Sequence, residues 1–441
     1  MEKESIFADL NRWGGNAILL ELYQLLLSSD RQQPDHLQGA QIYNNLGEVC
    51  WVLGQIERAR ECYEHALDIS KGLGNSKVGG RALNNLGRLY NTLGNKERAQ
   101  EFLEQALSML RDAGDLAGES SVLADLGWVY YDQGPMMQAQ KYFEQALRIR
   151  REIGDRLAEG SILGSLGRVY IVWGRMKQAQ EYYEQSLSIF IKVGYRDGEG
   201  IMLANLGRVY ADLGKPEQAL ECFKQSLKIL KGVGNRSGEG TTLNDLGRVY
   251  ADLGKPEQAL EYLEQSLKIR KEVGNRRGES RTLKDLGKVY ADLEQYERAL
   301  EYLEQSLKIL KEVGARWREG YSFNNLGRVY SSLGKKEKAW RCYKEALDIY
   351  KEVGDRWHEG KMLHYIGKLY LEQRNYDVAL SSFLLAKSIL EEVQHPERDE
   401  TQRLIDKLHA EIGDEEFATL LAKVEPQAQE IVEQALREGM R

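Results

Sequence analysis

Apolar positions in this chain recur on two nested intervals. Over short stretches they return every third or fourth residue, the spacing that gives an α-helix one apolar face. Over long stretches the whole pattern returns every forty residues, marked by Gly47, Gly87, Gly127, Gly167, Gly207, Gly247, Gly287, Gly327 and Gly367. In the unit Thr241–Ser280, Leu243, Leu246, Val249, Tyr250 and Leu253 form the face of a first helix, and Gly254 stops it. Pro256 then falls in a first turn, where its missing N–H has no intrahelical partner to lose. The second helix carries Ala259, Leu260, Leu263, Leu267 and Ile269 and ends near Gly274. Asn275 is placed to cap the next first helix, as Asp115, Asp155 and Asp355 are elsewhere. A glycine inside a helix costs about 1 kcal/mol relative to alanine, so its recurrence at the seventh place implies a steric need. Alanine at the nineteenth place, from Ala59 to Ala379, points to the same close approach of two helices.

Such a unit can bury its apolar face only against its neighbours, so the array is expected to be an all-α solenoid of helix-turn-helix repeats. The periodicity divides the chain into a capping helix or partial repeat over residues 1–40, nine forty-residue repeats over 41–394, and acidic capping helices over 395–441. Residues 16–29 keep the phase of a second helix, whereas the register is lost after Gln394. Trp173 replaces a leucine of the repeat and is expected in the core.

The repeat string of Leu83, Leu86, Gly87, Tyr90, Gly94, Ala99, Leu103 and Ala106 resembles the tetratricopeptide repeat, and nine such units cover about four fifths of the chain. The forty-residue period exceeds the usual ~34. It is similar to that of the Leu-Gly-Asn spindle-orientation adaptors and of bacterial tetratricopeptide sensor arrays. The resemblance implies a right-handed superhelix whose first helices line a concave groove, and a role as a non-catalytic scaffold that binds a peptide or protein segment there. A regulatory sensor array acting with a signal-transduction ATPase is the alternative that it suggests.

Charge and cysteine usage narrow the partners. Residues 391–441 hold 14 Asp/Glu against 6 Lys/Arg, so the tail carries more than the whole formal charge of −7 and the array is nearly neutral. That balance argues against a nucleic-acid binder. Cys62, Cys222 and Cys342 share a repeat position that is Tyr or Phe in five other units, and Cys50 replaces a Tyr, so the four cysteines read as reduced thiols standing in for aromatics in a cytoplasmic protein. No secretion signal or membrane span is visible, and no cofactor or metal is expected. The six histidines include no H-E-x-x-H, and there is no C-x-x-C, G-x-S-x-G or phosphate-binding G-x-x-x-x-G-K-[ST]. An enzyme with a small-molecule pocket is therefore the least favoured reading.

The candidate contact residues lie on the first helices. The eighth repeat position holds Arg88, Arg168, Arg208, Arg248, Lys288, Arg328 and Lys368, preceded by amides that include Asn84, Asn205, Asn244 and Asn324. Guanidinium forks and amides at that spacing suit the carboxylates and backbone of an acidic peptide. The alternative is pairing within each helix, Arg208 with Asp212, Arg248 with Asp252 and Lys288 with Asp292, worth a few tenths of a kcal/mol each. Trp128 and Tyr131 interrupt the ladder, and Trp317 and Trp357 share one position beside Tyr321, His358 and His364. Aromatic residues flanked by arginine are common binding anchors. Packing between repeats is the other reading of all four.

Overall fold

The computed structural model describes residues 36–440. The partial repeat expected before residue 41 falls almost wholly outside them, and its last residues belong to the first described helix. The chain divides into two compact units, residues 1–229 and 230–441. In the first, helices α1 (His36–Val52), α2 (Ile56–Gly72), α3 (Ser76–Thr92), α4 (Lys96–Asp112), α5 (Leu116–Gln133), α6 (Met136–Glu152), α7 (Arg156–Val172), α8 (Met176–Val193) and α9 (Arg196–Asp212) follow one another. The boundary falls within α10 (Pro216–Gly232). The second unit contains α11 (Arg236–Asp252), α12 (Pro256–Glu272), α13 (Arg276–Asp292), α14 (Tyr296–Glu312), α15 (Arg316–Ser332), α16 (Lys336–Val353), α17 (Arg356–Glu372) and α18 (Tyr376–Glu392). The fold is an all-α solenoid of consecutive helix pairs, and the described residues contain no strand.

The repeated glycine is explained by what lies across from it. A β-carbon built on Gly247 would sit 2.6 Å from Leu263 Cγ and 3.1 Å from the Ala259 carbonyl oxygen. The same contact is made by Gly127 on the Phe143 ring and by Gly327 on the Tyr343 ring. The first helix therefore lies directly on the large side chain sixteen residues further on, and Ala259 beside it is completely buried. Each pair closes through a loop residue in the left-handed region, such as Gly254 at φ +68°. Glu294, Arg374 and Gln394 hold that conformation without being glycine, at φ +58°, +60° and +54°.

Side-chain caps start the helices as their residue types dictate. Asp115 accepts from the Gly118 N–H, Asp155 from Ala158, Asn275 from Gly278 and Asp355 from His358, each satisfying a donor that has no intrahelical partner. Within the second unit, Arg236, Arg276, Arg316 and Arg356 each pair with a glutamate three residues on and with another thirty-six residues on. This stitches the start of one repeat to the end of the same helix pair. Trp173 is only partly buried: its ring lies edge-on to Tyr170 with the Arg175 guanidinium 5.2 Å over it. It packs on the core from its edge, at a helix end where the equivalent Leu93 is 54 % exposed.

After α18 come α19 (Glu397–Ile412), α20 (Asp414–Val424), a short 3₁₀ turn at Glu425–Gln427 and α21 (Ala428–Glu438). The apolar register does not vanish at Gln394; it shortens by one residue. Thr401, Ile405 and Leu408 are buried in α19, each thirty-nine residues after the buried Met362, Ile366 and Leu369 of α17. Helices α19 and α21 both pack on α18, and one apolar cluster runs from Ala339 to Met440. No helix among the described residues is long and apolar enough to cross a membrane.

Candidate functional site

In the first unit, the first helices α1, α3, α5 and α7 line an open cavity of about 680 Å³. Asn44 and Asn84 line it at equivalent repeat positions, each more than nine-tenths buried. The Asn44 amide N–H₂ reaches the Val78 carbonyl at 3.5 Å, while Oδ1 of both asparagines has no hydrogen-bond partner. A buried acceptor left unmatched costs about 1–3 kcal/mol, and since both oxygens are closed to solvent, a donor from an incoming molecule meets either one only after the amide turns toward the recess. Asp125, hydrogen-bonded by Asn84, completes this part of the wall. Burial in the recess pushes its carboxyl up to about 6, against the opposing pull of Arg88, whose Nε lies 3.9 Å away, and of the Asn84 hydrogen bond.

Arg150 braces the opposite side. It is buried and donates to the hydroxyls of Ser120 and Ser121, the Ala117 carbonyl and the Asp155 carboxylate at 2.6–2.9 Å. Its signal was present in the sequence: an arginine stands where Leu110 and Phe190 occupy the same repeat position. The lining also includes Arg81, which pairs with Asp115 at 3.0 Å, and Glu48, so the cavity has mixed charge rather than a uniform basic lining.

The aromatic residues do not break the cationic ladder but support it. The Arg88 guanidinium lies 4.7 Å over the Trp51 ring, and Arg168 lies 4.6 Å over Trp128 and 5.6 Å over Tyr131. Trp128 itself rests edge-on against Phe143, one of the side chains under the recurrent glycines. A guanidinium held over a ring face keeps its N–H edges free for an acceptor. Asn205 instead accepts from Arg208 at 3.1 Å on its own helix.

The second unit distributes the corresponding residues differently. Asn244 is spent internally: its N–H₂ donates to Asp285 at 2.9 Å and its oxygen accepts from the Thr282 hydroxyl at 2.7 Å. Asn324 is buried with Oδ1 unpartnered, as in the first unit. Arg248 approaches Asp245 at 4.0 Å rather than Asp252, and Lys288 approaches Asp252 of the preceding repeat at 3.9 Å rather than Asp292. Lys288 and Arg328 share a cavity of about 200 Å³ with Asn325. Trp317 is half exposed, whereas Trp357 is engaged by the helix after the last repeat. The Trp357 indole N–H donates to Glu397 at 3.0 Å, and its ring meets His358 and His395 at 4.1 and 4.7 Å. Packing therefore accounts for Trp357 and not for Trp317. His358 and His364 both sit below the ordinary imidazole range because burial disfavours their charged forms, against the pull of Asp355 and Glu400 respectively.

Among the described residues, no group of three or more His, Cys, Asp or Glu side chains could hold a metal ion. The sequence model of the tetratricopeptide repeat matches seven segments: residues 19–72, 38–112, 119–192, 174–232, 198–272, 238–312 and 278–352. No curated relative matches the chain. Solved structures similar to it include the apo form of the quorum sensor NprR from B. thuringiensis, at 14% identity and TM-score 0.57 over 79% of this chain and 97% of that one. A Rap protein complexed with Competence and Sporulation Factor gives 14% identity and TM-score 0.56 over 81% and 99%. A Signal Transduction ATPase with Numerous Domains carrying a tetratricopeptide repeat sensor, from Pyrococcus horikoshii, gives 18% and 0.55 over 78% of this chain and 54% of that one. At these identities the likeness is one of fold.

Proposed function

Because the chain belongs to the tetratricopeptide repeat family, we propose that its first-helix face binds an extended peptide or protein segment bearing acidic residues. The observation that carries this reading is the alignment of Asn44, Asn84 and Arg88 along one cavity, the two asparagines each keeping an amide oxygen that no other group has taken. Equivalent amides one repeat apart, once turned toward the recess, suit the N–H groups of a peptide backbone, which recur along an extended segment. Arg88 and Arg168, steadied over Trp51 and Trp128, supply cationic edges for its carboxylates. The family and its structural relatives support a protein-interaction or sensor role and indicate no catalytic family. The absence of a nucleic-acid partner, a membrane partner or a cofactor remains part of the same proposal, as does a cytoplasmic location.

A random peptide display library selected on the full chain tests the reading. Enriched peptides are expected to carry Asp or Glu, and an Asn84→Ala/Arg88→Glu variant with an unchanged circular dichroism spectrum is expected to lose them. Retention of the same peptides by that variant, or enrichment without acidic residues, would overturn it. A sensor array coupled to an ATPase would use the same face, and the likeness to the Pyrococcus horikoshii sensor supports that reading through fold alone.

A further inference from the structure

The second unit contains a cluster that the peptide reading does not use. Arg277, Arg281 and Lys284 on α13 and Arg318 on α15 converge on a cavity of about 300 Å³, whose remaining wall includes Trp317, Tyr321, Leu310 and the hydroxyls of Ser280, Ser306 and Ser322. No carboxylate lines it. Arg281 reaches Asp245 at 3.4 Å and Lys284 reaches Asp285 at 3.2 Å. Arg277 and Arg318 have no carboxylate within ion-pair distance among the described residues. Arg318 is held below the usual guanidinium range, first by burial and then by repulsion from Arg277 and Arg281. Four cations gathered with carboxylates for only two of them are unfavourable unless something anionic joins them.

A second observation points into the same space. Ser322 lines the cavity, and its completely buried hydroxyl has no hydrogen-bond partner, so a turn about χ1 would present it to an acceptor there. Its neighbour Ser280 is engaged, facing Ser306 at 3.3 Å. Beside the cations, Trp317 stands 49 % exposed, edge-on to Tyr321 at 5.5 Å and with the Arg318 guanidinium 5.2 Å over its ring. A large aromatic left half in water at the mouth of a cationic pocket offers a surface for a flat ring.

We propose that this cavity binds an organic phosphate monoester whose dianionic head lies among Arg277, Arg281, Lys284 and Arg318 and the Ser322 hydroxyl, with its aromatic carrier against Trp317. Guanidinium forks match phosphate oxygens in pairs, and a dianion answers an excess of two cations better than a single carboxylate does. The volume suits a small ligand rather than a peptide segment. The site is separate from the cavity of the first unit, so failure of either assignment leaves the other standing.

Isothermal titration of the full chain with inorganic phosphate, adenosine 5′-monophosphate, phosphotyrosine, adenosine and tyrosine tests the proposal. One or both monoesters are expected to bind saturably, at least tenfold tighter than inorganic phosphate and than the unphosphorylated parents. Preference between the two identifies the carrier. Arg277→Glu/Arg318→Glu is expected to weaken that binding at least tenfold, and Ser322→Ala and Trp317→Ala severalfold, with unchanged circular dichroism. Undetectable monoester binding, binding unaffected by the double charge reversal, or equal binding of the unphosphorylated parents would overturn the assignment. Equal binding of inorganic phosphate would overturn the role of the carrier. Ser322→Cys keeps the size of the side chain and replaces the hydroxyl with a poor donor, so it separates loss of the hydrogen bond from loss of the fold should the alanine variant unfold.

Discussion

Replacing Gly247 with alanine sets two physical effects against each other. On helix propensity alone, the substitution in the middle of α11 should stabilise the chain by about 1 kcal/mol. The tertiary structure reverses the sign. The new methyl carbon would stand 2.6 Å from Leu263 Cγ and 2.9 Å from its Cδ2, with the Ala259 carbonyl oxygen at 3.1 Å on the same side. Leu263 is completely buried, so it has no open space to retreat into, and Ala259 leaves only backbone behind it. Overpacking of this kind costs about 1–3 kcal/mol, and distances this short belong at the upper end. The net expectation is a destabilisation of roughly 1–2 kcal/mol after the propensity gain is subtracted. Urea unfolding followed by circular dichroism measures it. Leu263→Ala provides the internal check: alone it should cost about 2–5 kcal/mol through the cavity it opens. Combined with Gly247→Ala it should cost less than the two single effects together, because the added methyl then fills part of that space. Gly247→Ala raising the unfolding midpoint, or strict additivity in the double variant, would refute the idea that the recurrent glycine exists for close packing.

Three further perturbations follow from particular contacts. Asp125 titrates near 6 in the folded protein, above the ordinary value of 3.8, so the folded state binds its proton more tightly than the unfolded state. Its contribution is therefore present at low pH and lost as pH rises through that window; relative to Asp125→Asn, the wild type should lose up to about 3 kcal/mol between pH 4 and 7. Parallel melting-temperature profiles for the two proteins would contradict this. Glu294 holds φ +58° where most repeats use glycine. Glu294→Gly should accordingly stabilise by a few tenths to about 1 kcal/mol in urea unfolding, strain relief being larger than the added unfolded-state entropy, and a lower midpoint would disprove it. Glu397 accepts from the Trp357 indole and from Lys361 at 2.5 Å, and these partners hold its carboxyl below the usual range although burial pushes it up. Glu397→Ala should cost about 1–3 kcal/mol and increase protease cleavage in α19, since it leaves a half-buried ammonium and an indole N–H unmatched; unchanged cleavage would show that α19 is held by its apolar face alone.

The forty-residue period, the two helices of each unit, their glycine stops and their Asp or Asn caps were legible in the sequence because each depends on residues within one or two turns. Even the steric role of the recurrent glycine could be inferred, since a propensity penalty repeated nine times needs a reason. What no local pattern carries is where a side chain's partner comes from. Asn84 and Asn244 occupy the same repeat position, yet one amide oxygen is left without a partner and the other is consumed by Thr282. Trp317 and Trp357 likewise share a position, and only the second is taken up by Glu397 and His395. Arg168 and Trp128 looked like alternatives along one ladder and are in fact stacked on each other across forty residues. The helices and their order follow from residues close together in the chain, because backbone hydrogen bonding and apolar periodicity act at short range. Which amides, arginines and tryptophans remain open is settled only on folding, because that depends on the neighbouring repeat that each one meets.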